Sequence, residues 1–344
     1  MSSQANLATD WRAGYGPIAH RSETIERMQA LVHRLVAQRR IADEASAHAL
    51  LAAADRVACT AMSVVAHMTY ARRIDRSGCP LGSDDFKQTP EGHTGGSLNM
   101  VPAFVGYLLA NALTGTTRGW LMGQGHCVAA IEAVNALTGD VSAAQRGRYD
   151  RSEAGLSRLI GDFYSYAIDK QGRPAVPLGS HAGPNTAGAI SEGGYLGFAG
   201  LQYVHTPLPG ESLVAFLSDG AFEEQRGSDW APRWWRAEDC GFAIPVMILN
   251  GRRIEQRTQI VQEGGAAWLA EDLRHNGFDP VIVDGRDPVA IAWAIVEAED
   301  TLSAFAARSD RRYPVKLPYV IAETEKGFGF PGAATNAAHN LPLN

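Results

Sequence analysis

The feature that most constrains this chain is a repeated ending. LVAFLSDG (213–220), IPVMILNG (244–251), PVIVDG (280–285) and YVIAETEKG (319–327) each run through an apolar stretch of strand length into polar residues and a glycine. Short apolar runs alternating with helical periodicity imply strands joined as parallel β-α-β units. Strands are expected at 118–122, 213–217, 244–249, 279–283 and 317–322, with helices near 97–113, 126–137, 153–166, 265–276 and 287–308. The expected fold is therefore α/β, a doubly wound, mainly parallel sheet with flanking helices. In such sheets ligands bind beyond the carboxyl ends of the strands, which is where these polar-glycine turns fall.

Residues 24–73 differ in texture, because their apolar residues recur at three and four with charges between them, as in IERMQALVHRLVAQRR. A helical layer is expected over 1–85 and an α/β domain over 86–344, with no internal repeat and no clear linker; 306–318 is the best loop candidate. With 344 residues and 45% hydrophobic content the chain can bury a sizeable core. A formal charge of −6 gives no general basic field for nucleic acid. The four cysteines, Cys59, Cys79, Cys127 and Cys240, form no C-x-x-C pair, so neither a zinc knuckle nor a disulfide framework is suggested and a reducing cytoplasm fits best. The N-terminus has no apolar signal region, and runs such as AIPVMIL fall far short of the roughly 20 residues that span a bilayer, so no membrane association is expected.

Asp219 stands at the end of one strand and Asn250 at the end of another, 31 residues later. A carboxylate, an amide oxygen and a backbone carbonyl near Arg252 make a set of hard oxygen ligands for Mg2+, which keeps other positions for water and a diphosphate. Gly220 lets backbone amides approach a bound anion closely. An Asp-Gly pair by itself is chiefly a turn signal, and it is the second element at the right place that gives it weight.

Asp219-Gly220 followed by Asn250 resembles the thiamine diphosphate and magnesium motif of the transketolase superfamily. The likeness narrows to the phosphoketolase branch through EGHTGGSLNM (91–100), MGQGHCVAA (122–130), PLGSHAGPN (177–185), SEGGYLGFAG (191–200) and ETEKGFGF with NAAHNLPL (323–343). The resemblance implies that Asp219, Asn250 and the Arg252 carbonyl hold Mg2+ and that Gly125 and Gly220 approach thiamine diphosphate. It also implies that His93, His126, His181 and His339 line the reaction channel, and that Lys326, His339 and Glu192 meet a sugar phosphate. Histidine suits such a channel because it can donate to hydroxyls and move protons near neutral pH. Trp230, Trp234 and Trp235, interspersed with charges, are expected on a packed amphipathic helix and subunit interface rather than on a nucleic-acid platform.

The sequence also departs from the pattern. Ser218-Asp219-Gly220 stands where the family usually has Gly-Asp-Gly, and Arg252, Arg253 and Arg257 replace a Tyr-Lys stretch, bringing cations beside the diphosphate. The given sequence ends where relatives continue into a pyrimidine-binding domain carrying the glutamate that activates the coenzyme. The expectation is one half of an enzyme completed by that domain, in trans or as a continuation, within a homo- or hetero-oligomer. The implied reaction is cleavage of the C2–C3 bond of a ketose phosphate such as xylulose 5-phosphate, with phosphate or an aldose as acceptor. A 3-epimerase acting by cleavage and recombination, and a non-catalytic scaffold subunit, stay open as alternatives.

Overall fold

Five parallel strands form the sheet: β1 (Gly119–Met122), β2 (Ser212–Ser218), β3 (Phe242–Leu249), β6 (Phe278–Asp284) and β7 (Leu317–Glu323), in the order β1-β2-β3-β7-β6. A separate two-stranded antiparallel ribbon joins β4 (Arg252–Arg253) to β5 (Gln256–Arg257). This computed structural model describes residues 10–173, 175–176, 210–224, 236–238, 240–253 and 255–338. Each expected strand lies within two residues of an observed one. The central strands are buried along almost their whole length, which explains why their sequences read as unbroken apolar runs.

The ten helices among the described residues are α1 (Ser22–Ala37), α2 (Glu44–Tyr70), α3 (Thr94–Thr114), α4 (Val128–Thr138), α5 (Ala143–Arg146), α6 (Glu153–Asp162), α7 (Asp219–Glu224), α8 (Gln259–Glu263), α9 (Ala266–His275) and α10 (Pro288–Ala306). In α1 the buried apolar residues Met28, Leu31, Val32 and Leu35 recur at helical spacing and form a single stripe. The start of α2 is fixed by Asp43, whose Oδ1 accepts the Ser46 N–H at 2.7 Å. Pro288 opens α10 behind the cap residue Asp287, which accepts the Val289 and Ala290 N–H groups.

Helix α3 is buried on nearly every side, because α2, α4 and α10 all pack against it. Gly106 allows α10 a close approach: a Cβ there would lie 2.8 Å from the Pro288 carbonyl oxygen. Buried residues of α1 and α2 share one apolar core with the sheet, so the N-terminal helices are packed into the same interior as Val246 and Val320. The expected helix over 153–166 ends earlier, at Asp162, and Tyr164 and Tyr166 then adopt positive φ angles of 61° and 54°.

The expectation that no segment reaches membrane-spanning length needs correction. By length and composition α2 and α3 both do, since small residues between their aliphatic ones sustain the mean hydropathy. In α3, 83% of the apolar window is buried inside the fold, as in the core helix of a globular domain.

Four strand tips converge on one edge. β1 runs into Gly123–Cys127, β2 into Asp219, β3 into Asn250 and β7 into Thr324–Lys326. The chain builds β1, β2 and β3 in one direction, crosses to the far edge for β6 and returns to insert β7 beside β3. That reversal lies between β3 and β7, where a parallel sheet opens a crevice for a ligand.

Candidate active site

β2 and β3 pair in parallel up to Ser218 and Ile248, so the residues that follow each strand emerge side by side. Asp219, the first residue of α7, is fully buried. Its Oδ2 accepts the Gly251 N–H at 2.7 Å and its Oδ1 accepts the Gly220 N–H at 3.0 Å. Thr258, also fully buried, donates from Oγ1 to Asp219 Oδ2 at 3.4 Å. Burial pushes the Asp219 carboxyl up to about 6, against the opposing pull of the Gly251 N–H and the Lys326 charge. Asn250 is 8% exposed, and its Oδ1 accepts the Arg252 N–H at 3.1 Å.

These residues fit a magnesium ion in the chemistry of their donors. A carboxylate and an amide oxygen stand on neighbouring strand tips, and both are hard oxygen ligands. An adjoining cradle for an anion is lined by Gly220, where an added Cβ would sit 3.3 Å from Arg253 Cβ. Arg253 Nε is buried with no hydrogen-bond partner among the described residues, while its Nη1 lies 3.8 Å from Glu223 Oε2. A diphosphate oxygen would satisfy that orphaned donor. The Arg252 side chain points elsewhere, donating to the Ala334 carbonyl at 2.7 Å and to Asn336 Oδ1.

The histidine side of the site is built from α3 and the turn after β1. Gly92 has φ 141°, and a Cβ there would lie 2.6 Å from Tyr164 Cε2 and 2.9 Å from Thr69 Oγ1, so only glycine fits. His93 follows as the residue capping α3, and its ring centroid lies 3.8 Å from that of His126. His93 is 6% exposed and His126 half-buried. Gly125 and Cys127 flank His126 in a buried 3-10 turn. Gln124 anchors this turn by donating to the Leu217 carbonyl at 3.2 Å.

Lys326 links the two halves. It is 4% exposed, and its ammonium is close enough to Asp219 and Cys127 for both to act on it electrostatically. Burial lowers its pKa, and those two groups oppose that shift. The same burial pushes the Cys127 thiol up to about 12. The structure thus gathers Gly125, His93, His126, Asp219, Gly220, Asn250 and Lys326 along one edge of the sheet. His181, Glu192 and His339, like Trp230, Trp234 and Trp235, lie outside the described residues.

Sequence reasoning missed Asn99, Thr258 and Cys127. Asn99 on α3 clamps the Lys326 turn: Nδ2 donates to the Glu325 carbonyl at 2.7 Å and to Thr324 Oγ1 at 3.3 Å, and Oδ1 accepts the Gly327 N–H at 3.3 Å. Its signal was a polar residue in the middle of an otherwise apolar helix, SLNMVPAF. Thr258 gave none, because its closeness to Asp219 arises only when β4 and β5 fold back.

The chain is 29% identical over 290 residues to a probable phosphoketolase from Streptomyces coelicolor, an alignment covering 77% of this chain and 34% of the relative. It is 26% identical over 287 residues to probable phosphoketolase 2 from Lactiplantibacillus plantarum, with the same two coverages of 77% and 34%. The chain therefore spans about a third of the length of the curated relatives it matches. Among solved structures, a transketolase variant from Pichia stipitis superposes with a TM-score of 0.46 at 18% identity, covering 84% of this chain and 38% of that one. The profile of the XFP N-terminal domain matches residues 46–339. With most of its length matched by that profile, the chain belongs to the XFP N-terminal domain family.

Proposed function

We propose that this chain is the diphosphate-binding half of a thiamine diphosphate- and Mg2+-dependent enzyme that cleaves the C2–C3 bond of a ketose phosphate such as xylulose 5-phosphate. The observation that carries this reading is the Gly251-to-Asp219 hydrogen bond of 2.7 Å, which holds the oxygen donors of β2 and β3 at one place. Asp219, Asn250 and the Arg252 carbonyl would hold the metal. Gly220 and Gly125 would leave room for the coenzyme, and Arg253 would meet its diphosphate. When bound, the coenzyme supplies the nucleophilic carbon and the electron sink that cleavage next to a ketone requires.

The remaining work falls to this chain's side chains. His93 and His126, with rings 3.8 Å apart, are suited to binding substrate hydroxyls and to taking the proton released when the carbon–carbon bond breaks. Lys326 supplies positive charge between the metal-binding corner and the histidines. His181, Glu192 and His339 would complete the substrate channel. A pyrimidine-binding domain, as a continuation or a separate subunit of a soluble cytoplasmic oligomer, would provide the other face of the coenzyme.

The test is product analysis of the protein together with its pyrimidine-binding part, supplied with xylulose 5-phosphate, thiamine diphosphate and Mg2+. Coenzyme-dependent loss of the ketose supports the reading. Acetyl phosphate formed only with inorganic phosphate marks a phosphoketolase, exchanged sugars a transketolase, and ribulose 5-phosphate an epimerase. A ketose phosphate that persists unchanged in the fully loaded assembly contradicts it.

A further inference from the structure

Outside the oxygen-donor corner the described residues hold a second cluster of different chemical character. One ligand atom from each of His93, His126 and Cys127 lies within 4.8 Å of the others. His93 Nδ1 and Cys127 Sγ both pack against Gly96, 2.7 and 2.8 Å from where a Cβ on it would sit. The absence of a side chain at Gly96 is what lets both donors stand this close to α3. Cys127 is 2% exposed and held by the 3-10 turn that also carries His126, so the donors are positioned by backbone and not by long flexible side chains.

We propose that His93, His126 and Cys127 form a binding site for a thiophilic divalent cation of the Zn2+ class. Two imidazole nitrogens and one sulfur are the donors such an ion selects, whereas Mg2+ prefers oxygen. In a tetrahedral site with Zn–N of about 2.0–2.1 Å and Zn–S of about 2.3 Å, neighbouring donors stand about 3.3–3.6 Å apart. Side-chain rotation has to close a spacing of at most 4.8 Å by about 1.2–1.5 Å to reach that geometry. Binding releases the Cys127 thiol proton to solvent and leaves a thiolate on the metal, with both imidazoles neutral. The Lys326 ammonium favours that thiolate. A fourth position would be taken by water or an oxygen-bearing ligand. Because the two imidazoles are the same groups expected to meet substrate, occupation by zinc would exclude the ketose phosphate.

The probe is the metal alone, added to tag-free protein in the absence of coenzyme and sugar. Zn2+ calorimetry should give one site per chain. Co2+ substitution should give a thiolate-to-cobalt charge-transfer band with the visible bands of a tetrahedral ion. Cys127→Ser should abolish the charge-transfer band and weaken Zn2+ binding by at least tenfold, and His126→Ala should weaken binding comparably. Asp219→Asn should bind Zn2+ like the parent, which separates this site from the magnesium corner and from the proposed reaction. Circular dichroism verifies that each variant is folded, and Cys127→Ala replaces Cys127→Ser if the latter is not. Absence of stoichiometric Zn2+ binding, or a cobalt spectrum unchanged by loss of the Cys127 thiol, overturns the proposal.

Discussion

The Gly251 N–H donates to Asp219 Oδ2 across 2.7 Å and fastens the tip of β3 to the tip of β2. Gly251 can do so because it adopts φ 79°, a left-handed conformation natural to glycine. A Cβ there would also lie 3.0 Å from Val261 Cγ2. Gly251→Ala should destabilise the protein by about 1–3 kcal/mol, read from urea unfolding, and should weaken Mg2+-dependent coenzyme binding in calorimetry. Unchanged values for both would show that this contact does not organise the site.

Asn99→Ala removes three hydrogen bonds that join α3 to the turn carrying Lys326. The expected cost is about 1–3 kcal/mol, because the Gly327 N–H is left buried without its acceptor. Hydrogen exchange should accelerate over 324–327 while the amides of β7 keep their protection. Exchange unaltered in that turn would exclude the clamp.

His20 offers a pH test on a buried group outside the proposed metal and histidine sites. Its Nε2 lies 3.0 Å from Asp55 Oδ2 and its Nδ1 3.0 Å from Asp287 Oδ2, with all three side chains buried. Burial by itself lowers the imidazole pKa, but the hydrogen bonds and charges of Asp287 and Asp55 outweigh it and raise it from 6.5 to about 10. A raised folded-state value means that the stabilisation is fully present below 6.5 and is lost as pH climbs toward 10. His20→Gln should therefore cost most near and below pH 6.5, and its deficit relative to the parent should shrink in urea melts as pH rises toward 10. A deficit equal at pH 7 and above 10 would show that His20 is not held protonated.

Arg118 and Glu299 form a buried pair, with Arg118 Nε donating to Glu299 Oε1 at 3.2 Å and the guanidinium also bonded to Asn111 and Thr114. Ser212 at the start of β2 donates to the same carboxylate, so the pair ties α3, α10 and the sheet together. Arg118→Met leaves a buried carboxylate without its cation, at an expected cost of about 3–5 kcal/mol. Double replacement of Arg118 and Glu299 by apolar residues should recover much of that loss in the same unfolding assay.

Strand positions were legible because burial on both faces leaves a continuous apolar run, as in LVAFL and IPVMIL. Asp219 and Asn250 were legible as polar residues closing such runs. Their joining was not, because strand order is a long-range property: nothing local in the sequence says that β2 pairs with β3 or that β7 enters beside it. Asn99 escaped for the same reason, since its partners lie more than two hundred residues away. The early end of α6 was hidden because the pattern up to 166 stays compatible with a helix, while Tyr164 is turned aside by packing onto Gly92.

Calorimetric titration of thiamine diphosphate into the protein assembled with its pyrimidine-binding part, with and without Mg2+, for the parent and Asp219→Asn, tests the central claim most directly. The asparagine oxygen can still accept the Gly251 N–H, while the negative charge that would face the metal is removed. The expected result is Mg2+-dependent binding in the parent and a loss of at least about tenfold in the variant, since even groups outside a metal's direct ligands contribute about 10–100-fold. Equal, Mg2+-dependent affinity in both proteins would contradict the assignment of Asp219 and the account built on it.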